Sequence, residues 1–180
     1  MSSIEELQKL SEREDHVEFK NAEHNYPFAG GKKTDPRERR HCVLGYVVAL
    51  ANERGGRLVL GMADPRPHQV VGSDFAENET GKLEDEIYER LHIRVRTEEL
   101  YDDKQRRVLV INVPSRPVGK ALRFEGVPLM RVGECLRDRK DNIGLGYKDS
   151  YPKLLEMGLV SEDSYFGYVL SARYLLLSPM

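Results

Sequence analysis

Apolar residues fall at Ile4, Leu7 and Leu10 in "SIEELQKLSE", the spacing of a short helix with one buried side. The period then drops to two. In "HVEFK", Val17 and Phe19 share one face of an extended segment, and His16, Glu18 and Lys20 share the other. Periodicity is lost from Asn21 to Thr34, where Pro27, Gly30 and Gly31 collect, so this stretch reads as a mobile loop. Asp35 is placed to cap a helix, Pro36 suits its first position, and Glu38 stands three after the cap. "RERRHCVLGYVVALANER" reads as one long helix, because the rows Val43, Val47, Leu50 and Leu44, Val48, Ala51 make a broad apolar face. Gly55-Gly56 supplies a left-handed stop.

"RLVLGM" is a short apolar run suited to a buried strand; "ADPRPHQ" is a turn and "VVG" begins another extended piece. "TGKLEDEIYERLH" gives a second amphipathic helix through Leu83, Ile87 and Leu91. "IRVRTEELY" and "RRVLVINVP" flank "DDKQ" as a hairpin, and "KALRF" and "PLMRVG" flank Glu125-Gly126 as a second one. The order predicts an α/β (α+β mixed) single domain over 1–142, with a mixed, mainly antiparallel sheet packed by two main helices. Residues 143–180, with "YPKLLEMGLV" and "SYFGYVLSARYLLL", read as an apolar helical C-terminal extension.

Composition narrows this further. With 39% hydrophobic and 32% charged residues over 180 positions, the chain suits a soluble globular domain. A net charge of −2 gives no global signal for nucleic acid, so such binding requires a local patch. Cys42 and Cys135 lie far apart and are expected to be reduced, in a cytoplasmic protein. No apolar run approaches the ~20 residues of a membrane span, so no membrane association is expected.

The chemistry gathers around Glu18 and Lys20, roughly 6.5–7 Å apart along an extended backbone. A carboxylate there can hold a hard divalent cation, which activates water and polarises a phosphodiester, while an ammonium steadies developing charge. Further ligands are available in Glu12, Glu14 and Asp15, and in Asp64 at the end of the apolar strand. The plainer alternative is a solvated strand face whose Glu–Lys pair contributes ~0–1 kcal/mol. Lys32, Lys33, Arg37, Arg39 and Arg40 offer a basic segment for a phosphate backbone, or simply a solvated surface. Asp35 and Glu38 already occupy that helix end. Arg116, Lys120 and Arg131 form a second, scattered basic group. The histidines and cysteines lack metal-ligand spacing, so zinc is not expected, and neither a phosphate-cradling loop nor a serine nucleophile elbow is present.

The ordered set "HVEFK", "VVALANERGGRLVLGMAD", "VVG", "RVLVINVPSRPVG" and "VPLMRVGE" resembles the Schlafen-type AlbA-like domain family over roughly residues 12–138. The resemblance implies an α/β fold with a mixed sheet and a nucleic acid as ligand. Some members are endoribonucleases that cut tRNA or rRNA with three carboxylates and Mg²⁺ or Mn²⁺. Glu18 and Asp64 match two of those acids. The usual third stands five before Glu18, where this chain has Arg13 with Glu12 and Glu14 on either side. The zinc-binding residues of the animal nucleases are missing.

The first expectation is a Mg- or Mn-dependent endoribonuclease acting on structured RNA. Glu14 (or Glu12), Glu18 and Asp64 would hold the metal, and Lys20 the scissile phosphate. Lys32, Lys33, Arg37, Arg39, Arg40, Lys120 and Arg131 would grip the nucleic acid. Because animal relatives build their groove from two lobes, a homodimer is expected. The alternative is a non-catalytic DNA- or RNA-binding regulatory module, and a third reading is a protein-interaction domain that uses its C-terminal helices.

Overall fold

The alternation at 17–20 and the apolar runs at 56–60 and 107–113 are drawn together in one sheet. The computed structural model describes residues 3–12, 15–33, 35–117, 121–132 and 135–138. Strands β1 (Val17–Lys20), β2 (Gly56–Leu60), β3 (Arg96–Tyr101) and β4 (Arg107–Val113) pair in the order β1-β2-β4-β3. The β1–β2 pair is parallel and the other two pairs are antiparallel, so the sheet is mixed and mainly antiparallel as expected.

Both faces are covered. Leu58, Leu60, Leu109 and Ile111 pack beneath α3 (Val43–Asn52) and α4 (Thr80–Leu91). Val17, Phe19, Val59, Val108 and Val110 meet Leu7 of α1 (Ile4–Leu7) on the opposite face. Ser3 and Glu6 cap α1 reciprocally. Among the described residues no helix is long and apolar enough to cross a membrane.

The expected long helix is in fact two. α2 (Pro36–Arg40) has no buried residue, whereas every residue of α3 is buried, so a single straight axis cannot serve both. The chain breaks at His41 and Cys42, the latter extended at φ −151° and ψ 170°. The first amides of α3 turn elsewhere: Val43 and Leu44 donate to the Pro27 and Phe28 carbonyls at 3.0 and 3.1 Å. Gly45 permits the fold-back, because a Cβ there would lie 1.8 Å from the Arg40 carbonyl oxygen.

The same contacts hold part of the stretch read as a mobile loop, which is irregular over its described residues 21–33. Tyr26, Phe28 and Ala29 pack on the core, and Ser73 Oγ donates to the Ala22 carbonyl at 2.6 Å. Its Pro27 and Phe28 carbonyls thus satisfy the first amides of α3, whose N-cap residue is Cys42.

The second hairpin differs as well. Glu125 and Gly126 adopt the expected turn, with φ of 51° and 75°, yet only an isolated bridge forms, between Phe124 and Val127. At the next rung, buried Asn52 intervenes: it accepts from the Leu122 amide at 2.9 Å and donates to the Leu122 and Leu129 carbonyls at 3.0 Å. With those groups taken, β5 (Leu129–Val132) pairs with β6 (Cys135–Asp138) instead. "VVG" likewise contributes only an isolated bridge, Met62 to Val70. The helical extension expected over 143–180 lies outside the described residues.

Candidate nucleic-acid interface

Register places Glu18 opposite Leu58 and Lys20 opposite Leu60, so both side chains lie on the helix-covered face of the sheet. Glu18 is accordingly only 4% exposed. The solvated surface pair is thereby replaced by a buried network. Lys20 Nζ sits 2.6 Å from Glu18 Oε1, and Arg131 Nη1 sits 3.2 Å from Glu18 Oε2. Arg131 also pairs through Nε with Glu53 Oε2 at 3.0 Å, and its backbone amide donates to the other oxygen of Glu53. Lys20 stands over the Tyr46 ring, 4.9 Å from its centroid. Burial pulls the Lys20 ammonium down, but Glu18, Tyr46 and Asp64 more than offset this and hold it above its ordinary value. Burial pushes the Tyr46 hydroxyl up to about 12 against the opposing pull of Lys20.

Two more acids belong to this neighbourhood. Glu12 Oε1 accepts from the Phe19 amide at 3.0 Å. Burial raises the Glu12 carboxyl, its bond to Phe19 opposes the rise, and the charges of Glu18 and Asp64 add to it. Asp64 therefore comes close enough to act on both Glu12 and Lys20, from its half-buried place beyond β2. Among the described residues no three His, Cys, Asp or Glu side chains gather at metal-holding distances. Glu14 and Lys120 lie outside the described residues.

The basic segment divides. Lys32, Lys33 and Arg37 are exposed, whereas Arg39 and Arg40 are half-buried and Arg39 pairs with Glu125 at 3.3 Å. Arg131 is turned inward: Nη1 donates to the Val17 carbonyl at 2.6 Å besides meeting Glu18. Arg116 is buried, 8% exposed. Cys42 is a core thiol, pushed up to about 11 by burial.

A family model described as "Schlafen, AlbA_2" matches residues 14–138. The chain belongs to the Schlafen AlbA_2 family. No curated protein matches it at a significant level. Among solved structures, this Schlafen AlbA_2 domain is similar to the DIP2311 protein from Corynebacterium diphtheriae, at 20% identity and a TM-score of 0.49. That match covers 71% of this chain and 25% of the other, so the chain spans about a quarter of that protein's length. It is also similar to the N-terminal domain of a RecG-related protein from Nitrosomonas europaea, at 19% identity and a TM-score of 0.44, covering 77% of this chain and 97% of the other.

Several residues of the Schlafen AlbA_2 site carry no local sequence signal. Glu53 and Arg131 are 78 positions apart, and Arg131 meets Glu18 across 113 positions. Their shared stretches, "ANERGG" and "LMRVGE", were signal enough for the family but not for the ion pair. His41 was also missed. Its ring centroid lies 6.2 Å from that of Tyr46, and burial together with Lys20 and Lys33 lowers its pKa.

Proposed function

We propose that this domain binds nucleic acid, with Lys32, Lys33 and Arg37 engaging phosphates beside the Lys20–Glu18 edge of the sheet. The observation that carries the reading is the division of charge. The half-buried cations Lys20 and Arg131 are matched internally by Glu18 and Glu53, while the three exposed cations of 32–37 have no such carboxylate match among the described residues. Unmatched surface cations release counterions when they meet phosphates, which is the main source of sequence-independent affinity. The test is fluorescence anisotropy with a labelled RNA hairpin and a DNA duplex of equal length across a salt series. The triple variant Lys32→Ala, Lys33→Ala, Arg37→Ala is expected to bind at least tenfold more weakly. Its salt dependence should flatten by about one phosphate contact per residue removed. Unchanged affinity would overturn the assignment.

A metal-dependent endoribonuclease acting on tRNA or rRNA is the finer reading, and one observation favours it. Burial, and after it the nearby charges of Glu18 and Asp64, hold Glu12 above its ordinary pKa, and a cation beside these acids would relieve the second of these effects. Glu18 as arranged does not suit a ligand, because Lys20 and Arg131 already occupy both of its oxygens. Incubation of tRNA with Mn²⁺, alongside Glu18→Ala and Asp64→Ala, decides the matter: cleavage that survives both substitutions defeats the carboxylate mechanism. A homodimer belongs to the same proposal, and light scattering that finds only monomer at micromolar concentration removes it.

A further inference from the structure

We propose that the C-terminal end of α4 and the start of β3 form a second contact surface, one for single-stranded nucleic acid. The inference rests on the nucleic-acid reading above and adds a partner class and a location to it. Burial alternates residue by residue here: Leu91, Ile93 and Val95 are buried, while Arg90, His92, Arg94 and Arg96 are exposed. The alternation anchors the segment to the core on one side and presents four basic side chains on the other. No carboxylate pairs with Arg90, Arg94 or Arg96 among the described residues.

Charge alone would describe any solvated stripe. The second observation is aromatic. Tyr88 is 42% exposed, one of two large apolar side chains so placed among the described residues. The Arg94 guanidinium lies over its ring at 4.6 Å from the centroid, and His92 meets the ring edge-on at 6.3 Å. A partly exposed tyrosine with a guanidinium over its ring is a platform on which an unpaired base can stack, and the flanking cations can follow the attached phosphates. A duplex hides its base faces, so this stack selects unpaired strands.

The surface also stands apart from the first one. Arg96 opens β3, at the opposite end of the strand order from β1, while Lys32 and Lys33 lie on the loop after β1 and Arg37 on α2, so the two basic groups sit on different elements.

The experiment measures the affinity of the whole chain for a short labelled oligouridine and for the RNA hairpin, with wild type, Tyr88→Ala, Tyr88→Phe and Arg94→Ala. The expected result is a loss of about tenfold for oligouridine in Tyr88→Ala and Arg94→Ala, with a smaller loss for the hairpin, and retention of binding in Tyr88→Phe. Both positions are exposed, so circular dichroism should show an unchanged fold in all three variants. Wild-type-like affinity of Tyr88→Ala and Arg94→Ala for oligouridine overturns the second surface and leaves the nucleic-acid reading standing. Failure of the wild type to bind either RNA at low salt removes that reading and this inference together.

Discussion

Glu18 behaves as the counter-ion of a buried network, and its worth should show in stability. Removing it strands Lys20 without its carboxylate and leaves Arg131 with Glu53 alone, and breaking a buried pair from one side typically costs several kcal/mol. Glu18→Ala is expected to lower unfolding free energy by about 3 kcal/mol in urea titrations. A loss under about 1 kcal/mol would return the pair to the surface class. Glu12 should respond in the opposite sense. Its folded pKa is raised, so its contribution is fully present below the unfolded value of about 4.3 and is lost as pH rises through the folded value. At neutral pH the ionised group is a liability. Glu12→Gln keeps an acceptor for the Phe19 amide, so it is expected to raise Tm at pH 7 and to give no gain near pH 4. A lower Tm at pH 7 would contradict this. The period of two placed Glu18 and Lys20 on one face correctly, but nothing local said that β1 would be roofed by Tyr46 and Arg131, because burial there depends on contacts across long stretches of chain.

Among the elements, the apolar rows of α3 and α4 and the β3–β4 hairpin were legible because periodicity alone determines them. Where a segment ends was less so. The break between α2 and α3 depends on two loop carbonyls and on the space at Gly45, neither of which has a periodic signature. Two glycines test this. Gly45→Ala drives a methyl onto the Arg40 carbonyl and is expected to unfold or strongly destabilise the domain. Gly81→Ala, in the first turn of α4 with nothing within 4 Å of the added Cβ, should be neutral or stabilise by up to about 1 kcal/mol. Thermal denaturation of both separates a steric requirement from mere tolerance. The second hairpin was misplaced for a related reason. Asn52 in "ANERGG" takes a ladder rung from 70 positions away, and no turn signal at Glu125-Gly126 could announce it.

At the scale of the whole molecule, the net charge of −2 conceals two groups of exposed cations among the described residues, one contiguous in the sequence and one interrupted. The patch at 32–40 stood out as a contiguous run. Arg90 to Arg96 did not, because apolar residues separate the cations and only their burial shows that these share an exposed side.

The lateral margins of the sheet have a further consequence. At β1, Glu12 occupies the Phe19 amide and Arg131 the Val17 carbonyl; at β3, Glu84 takes the Thr97 amide at 2.6 Å. Side chains thus stand where a neighbouring strand would hydrogen-bond, which guards the domain against strand-by-strand polymerisation. Glu84→Ala uncovers the margin at Thr97, and turbidity growing over hours in concentrated solutions of that variant, with the wild type staying clear, is the outcome this protection predicts.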